Sequence, residues 1–194
     1  MSNTDSAPIA QAIHDLGTAL WFGGSVMGVA GVNKSGNELR DELDKIRVAG
    51  SAWKRFAPAQ WGGVAASIIG GALITNSNKG RLAGQSGFAA AGATKAALTV
   101  VGVAATAFAA YSGNKIGQAA EAAVSRGEQF EVKDATSPAE KTPAEVATWQ
   151  KRQRIAQVLV PATSGALVVL NSYLVQQYRP AATAKGLLGR LTRG

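Results

Sequence analysis

The side chains able to do chemistry in this chain are few and fall in three places. His14, the single histidine, stands beside Asp15, and Lys95 lies at the start of a later apolar stretch. A histidine next to a carboxylate is suited to moving protons, and a lysine at similar depth would supply a countercharge. Gly28-Val29-Ala30-Gly31-Val32-Asn33-Lys34-Ser35 approaches a phosphate-cradling loop. Asn33 stands where its second glycine belongs, however, and no apolar strand ending in aspartate follows to hold magnesium. Ser51-x-x-Lys54 and Ser112-x-x-Lys115 match a serine-lysine nucleophile spacing that chance supplies readily. The chain has no cysteine, which excludes thiolate zinc sites, disulfides and thiol nucleophiles. One histidine and two methionines serve copper poorly and cannot hold a haem between two histidines. The expectation is a protein that is not an enzyme and that carries no metal and no cofactor.

The elements that would position these residues are four stretches without a charge. Their cores are Leu16–Asn33, Phe56–Asn78, Ala96–Asn114 and Ile155–Tyr178. Each is close to the ~20 residues a helix needs to cross a bilayer. The mean hydropathy of +0.05 hides them, because the connecting segments are strongly polar. The reading is an all-α integral membrane four-helix bundle, a single transmembrane domain over 1–194. Its spans run over approximately 11–33, 56–78, 94–114 and 154–178, with polar loops 34–55 and 115–153 and a basic C-terminal tail 179–194. Ala- and Gly-rich stretches such as Ala96–Ala110 also suit buried helices of a soluble protein, but four of them, two introduced by Trp and bases, favour the membrane. Asp5 and Asp15, with no base before them, argue against a cleaved signal peptide. The net charge of +8 sits beside apolar spans, so anionic lipid headgroups are the expected partner and nucleic acid is not.

Local signals fill in the plan. Thr4, Asp5 and Ser6 offer caps and Pro8 suits a first turn, giving a helix over about Ala7 to Val32. Ser35-Gly36-Asn37-Glu38 reads as a capping box. Leu39, Leu43 and Ile46 follow at helical spacing, so a short amphipathic helix is expected on the membrane surface or against a partner. Trp53, Lys54 and Arg55 then anchor the second span at headgroup level. Trp149, Lys151 and Arg152 echo them before the fourth span, which suggests two hairpins of duplicated design. Ser137–Glu140 and Thr142–Glu145 both resemble helix starts with proline at the first position. The stretch from Lys79 to Lys95 is either a loop or the first turns of the third helix. Most of the 20 lysines and arginines fall in loops 34–55 and 115–153, which places those loops in the cytoplasm.

Small residues recur at helical spacing: Gly24 and Gly28 in the first span, and Gly63, Ser67 and Gly71 in the second. They let backbones approach closely, either within the bundle or against a partner. His14 and Asp15 open span one and Lys95 opens span three, on the same side, so Asp15 and Lys95 are expected to pair. Asn171 is placed to hydrogen-bond across helices, and Pro161 to kink the fourth.

The stretch His14-Asp15-Leu16-Gly17-Thr18-Ala19-Leu20-Trp21-Phe22-Gly23-Gly24 resembles the first span of small bacterial membrane proteins related to copper-resistance D. The Ala/Gly-rich style also resembles four-span proteins of high-GC actinobacteria. The resemblance implies a multi-pass protein of the bacterial inner membrane, linked to copper or redox traffic. The chain lacks the further His and Met residues that copper handling needs, so location and topology carry over and the activity does not. The functional expectation is a non-catalytic accessory or scaffold subunit of a larger membrane complex, a transporter or respiratory assembly. Its partners would be other membrane subunits or further copies of itself. The alternative is a small homo-oligomeric transporter or channel module lined by Asp15, Lys95 and His14.

Overall fold

The structure, a computed structural model, describes the backbone of residues 6–79 and 86–191 and the side chains of 8–79 and 90–175. Four long helices dominate it: α1 (Ser6–Met27), α2 (Glu42–Ser77), α3 (Ser86–Ser125) and α4 (Ala144–Leu191). They alternate in direction. Gly17 meets Gly63 while Gly28 meets Trp53, which sets α1 antiparallel to α2. Gly102 meets Thr163 and Ser112 meets Gln153, which does the same for α3 and α4. Phe22 against Gly165 joins α1 to α4.

Three helices are long and apolar enough to cross a membrane, over Glu42–Ser77, Ala90–Ser125 and Ala144–Val175. α1 is not among them, because Gln11, His14, Asp15, Thr18 and Ser25 dilute its 22 residues. Three of the four expected spans thus coincide with helices of spanning length and composition. α2 has 36 residues and α4 has 48. At 1.5 Å per residue even α2 reaches about 54 Å, far more than the ~30 Å of hydrocarbon.

The extra length corrects the loops too. Leu43, Ile46 and Ala49 are buried on the first turns of α2, so no separate surface helix exists there. Asp41 caps α2, its carboxylate accepting the Asp44 N–H at 2.9 Å, while Gly36–Glu38 forms a 3-10 turn instead of a capping box. α3 starts at Ser86, so much of the Lys79–Lys95 stretch belongs to that helix, and residues 80–85 lie outside the described residues. At its other end α3 runs on to Ser125 and stops at Gly127, whose φ of 69° suits glycine. There Glu128 N–H reaches Ala123 O and Gly127 N–H reaches Val124 O, the paired bonds that close a helix on a left-handed residue. Next comes an antiparallel hairpin of β1 (Val132–Asp134) and β2 (Ser137–Pro138). Ser137 is therefore a strand residue, and only the second helix start, after Thr142-Pro143, opens a helix. The basic stretch after 178 continues α4 as far as Leu191.

Two cores result. One lies among the spans and centres on Trp21, Val64, Ala105, Val160 and Leu167. The other gathers Leu43, Ile46, Ile116, Ala119, Ala120, Val132 and Val146, with Phe130 and Trp149 packed on it. This second core forms a headpiece at the end of the bundle where α2 and α4 begin and α3 ends. Polar contacts tie its hairpin down. Glu42 accepts the Val132 N–H at 2.8 Å and holds Lys45, and Lys34 reaches Asp134 at 2.5 Å. Arg47 grips Glu121 through two N–H groups, at 2.8 and 2.9 Å, and so clasps α2 to α3.

Asp134 gives the headpiece a pH dependence. Burial alone would raise its pKa, but hydrogen bonds from Lys34, Thr136 and Ser137 outweigh burial and hold it below the usual carboxylate range. A depressed carboxyl contributes stability above its unfolded pKa, and that contribution is lost as pH falls through the folded value. The thermal midpoint of the full chain in detergent should therefore hold at neutral pH and fall in acid, below about pH 4. Asp134→Asn should weaken that acid dependence; an unchanged profile would remove Asp134 from the account.

Candidate functional site

The bundle is polar inside and apolar outside over one band of its length. Ile9, Ile13, Leu16, Leu20 and Met27 of α1 are exposed, and so are Trp61, Ile68, Ile69 and Leu73 of α2. Val100, Val101, Phe108 and Tyr111 of α3 and Ile155, Val158, Val169 and Tyr173 of α4 continue the belt. From Ile9 to Met27, or from Ile155 to Tyr173, the belt is about 27 Å tall, close to a hydrocarbon core. Within it His14, Thr18, Ser25, Gln60, Ser67, Thr106, Gln157, Thr163, Ser164 and Asn171 are buried. An interior of that kind fits helices packed in lipid, where hydrogen bonds and close backbone contact hold the bundle together.

Glycines make the close contact between α1 and α2. A Cβ on Gly17 would stand 2.6 Å from the backbone oxygen of Gly63, and one on Gly70 would stand 2.7 Å from the backbone nitrogen of His14. Gly24 and Gly28 seat the rings of Phe56 and Trp53. Gly63, Ser67, Gly24 and Gly28 thus sit inside the bundle, on the contact between these two helices. Gly71 is displaced to its flank, in ordinary contact with the His14 ring at 3.5 Å. Gly17, Gly70 and Gly102, which spacing alone did not single out, are further places where an added Cβ would stand within 3 Å of a neighbour.

Two polar centres lie in the belt, one on each side of Trp21. The first, nearer the chain termini, centres on His14. Its Nδ1 stands 2.5 Å from the backbone oxygen of Ser67, and its Nε2 3.0 Å from Oδ1 of Asn171. The Ser67 carbonyl can only accept, so Nδ1 carries a proton. The Nδ2 amide of Asn171 donates to Asp15 at 3.3 Å, and Gln11 donates to both Asp15 oxygens at 2.9 Å. Lys95 opens onto the same cavity of about 320 Å³ as Gln11, His14, Ser67 and Asn171. Asp15 and Lys95 form no ion pair among the described residues; two carboxamides hold the carboxylate instead.

The second centre is a cavity of about 170 Å³ enclosed by all four helices, nearer the headpiece. Ser25, Trp53, Lys54, Gln60, Trp61, Thr106, Gln153 and Gln157 are among the residues around it. Trp21 lies between the two centres along α1. It is fully buried, donates from Nε1 to Thr106 Oγ1 at 3.0 Å, and packs on Gly102.

Of the expected interfacial anchors, Trp53, Trp149 and Arg152 make contacts within the protein. Trp53 donates to Asn33 Oδ1 at 2.9 Å across Gly28–Val32, which forms a π-helical turn and not a phosphate loop. Trp149 packs edge-on to Tyr111 at 5.6 Å, with Arg152 stacked over it at 4.9 Å. Lys54, Arg55 and Lys151 are exposed. Among the described residues no three His, Asp or Glu side chains gather as a metal site would need.

No protein-family model, no curated protein and no solved structure matches this chain. The resemblance of His14–Gly24 to copper-resistance D proteins rests on that stretch alone.

Proposed function

We propose that this chain is a non-catalytic scaffold subunit of a larger membrane assembly, one that holds a folded headpiece at fixed height above the bilayer. The observation that carries this reading is the unbroken passage of α2, α3 and α4 from the apolar belt into the headpiece core. Such rods fix the distance between the two parts, which suits a scaffold more than a flexible tether. Four spans complete the reading: the exposed apolar residues of α1 lie in register with those of the other helices. Its outward face meets lipid while its polar face, which lowers its hydropathy, turns inward. The headpiece lies in the cytoplasm of a bacterial cell on this reading, because it carries most of the bases. Those bases also face anionic lipid headgroups there.

Extraction of the full chain from native membranes in mild detergent should bring defined partners in fixed ratio. Recovery as a lone homo-oligomer would overturn the scaffold reading. The absence of cysteine makes topology simple to test. Glu140→Cys should react with an impermeant maleimide only after cells are opened, and Asn76→Cys should react in intact cells. The reverse pattern would invert the orientation.

One observation favours a second reading, a small transport module. The chain Asp15–Asn171–His14–Ser67 is continuous through hydrogen bonds and adjoins a cavity holding Lys95. If this cluster handles protons or ions, Asp15→Asn and Lys95→Gln should abolish flux in vesicles while the fold persists. A scaffold would keep its partners in both variants.

A further inference from the structure

The cavity next to the headpiece has the chemistry of a ligand site. Gln157 is 5% exposed, and its Nε2 has no hydrogen-bond partner. An unmet donor at that depth costs free energy that a bound acceptor would recover. The nearby hydroxyls do not meet it. Ser25 donates to the carbonyl of Trp21 at 2.6 Å and Thr106 to that of Gly102 at 2.8 Å, and neither oxygen accepts from Gln157 Nε2. Gln60 adds a second buried carboxamide, and Lys54 a further donor from an exposed position. Gln153 and Asn114 complete the polar lining, and the other walls are apolar or aromatic, with the flat indoles of Trp53 and Trp61 prominent. Exposed Lys54, Trp61, Ala110 and Asn114 mark a mouth between α2 and α3, at the headpiece edge of the belt.

We propose that this cavity binds an amphiphile with an uncharged, flat, carbonyl-bearing headgroup, a quinone-type ring on an alkyl or isoprenoid tail. A carbonyl oxygen accepts from Gln157 Nε2 once that carboxamide, whose Nε2 is closed off from the cavity here, turns toward it. A flat ring makes use of the indole walls. The tail leaves through the mouth past Trp61 into lipid, since the belt surface there is apolar. A phospholipid fits less well, because its acyl chain would leave the carboxamides unpaired. The proposal does not depend on the scaffold reading.

The test uses the full-length protein in detergent, titrated with decyl-benzoquinone and followed by tryptophan fluorescence. Wild type should show saturable quenching. Gln157→Leu should weaken the affinity about tenfold, the worth of one hydrogen bond. Its thermal midpoint should hold or rise, because it removes an unmet buried donor. Ala110→Phe, at the mouth, should slow entry of the probe without touching the carboxamides. Organic extraction of freshly purified protein should release a quinone absorbing in the near ultraviolet. Quenching that rises without saturation, or equally in wild type and Gln157→Leu, would overturn the proposal. An extract holding phospholipid alone would overturn it as well.

Discussion

Placing one methyl group on Gly17 is expected to push α1 away from α2. The new Cβ would stand 2.6 Å from both the Gly63 oxygen and the Ser67 nitrogen, and backbone atoms on a helix cannot move aside as a flexible side chain can. Overpacking of this kind costs about 1–3 kcal/mol, and more when nothing can yield. Gly17→Ala should therefore lower the unfolding midpoint in detergent sharply, and Gly17→Val should abolish folding. Gly70→Ala should behave alike, its Cβ facing His14 nitrogen at 2.7 Å and Ala10 oxygen at 2.8 Å. Gly23→Ala is the control. No atom lies within 4 Å of its Cβ, so it should be neutral or gain up to about 1 kcal/mol from helix propensity. Gly71→Ala should be tolerated, because its nearest neighbours lie at 3.5 Å. Equal effects at Gly17 and Gly23 would mean that α1 and α2 do not meet in this way.

Trp21→Ala should be the most damaging truncation within the span core. The ring is fully buried and fills the space between α1, α3 and α4. Removing such a side chain costs about 3–5 kcal/mol. Trp21→Phe keeps most of the contact and loses only the bond to Thr106, for about 1 kcal/mol. Trp21→Ala would also open a void on α1 between His14 and Ser25, at a level between the two polar cavities. In sealed vesicles it should admit a small ion or dye that wild type excludes, and Trp21→Phe should not. A tight Trp21→Ala vesicle would show that the two cavities remain separate without the indole.

The sequence marks the apolar stretches because charge is costly in hydrocarbon, and three of the four coincide with helices of spanning length. It does not show where the helices continue past the membrane. Leu43 and Ile46 on one side of Trp53, and Ile116 and Ala119 beyond Asn114, repeat at the helical period of a soluble core, and a hydropathy scale treats the change as a loop. The β1–β2 hairpin left little signal, since its strands hold three and two residues and its register depends on Glu42, 90 positions away from the Val132 that it binds. His14 was visible as a solitary titratable residue. Its partners were not, because Ser67 contributes a backbone oxygen and Asn171 lies on another helix. Gln60, Gln153 and Gln157 passed as unremarkable because glutamine carries no charge and follows no motif spacing. Only the convergence of α2 and α4 brings them to one cavity.

Pro58 lies inside α2 and Pro161 inside α4, one turn beyond Lys54 and Gln157. Each proline lacks the N–H that would bind the carbonyl four residues earlier, so Lys54 and Gln157 lose a rung of the backbone ladder. Both gaps fall on the turns that surround the smaller cavity. Bending is least costly there, and a bend of about 10° at Pro58 would swing the start of α2, about 24 Å away, by about 4 Å. The cavity thus sits where α2 and α4 have the weakest backbone ladder, at the foot of the headpiece.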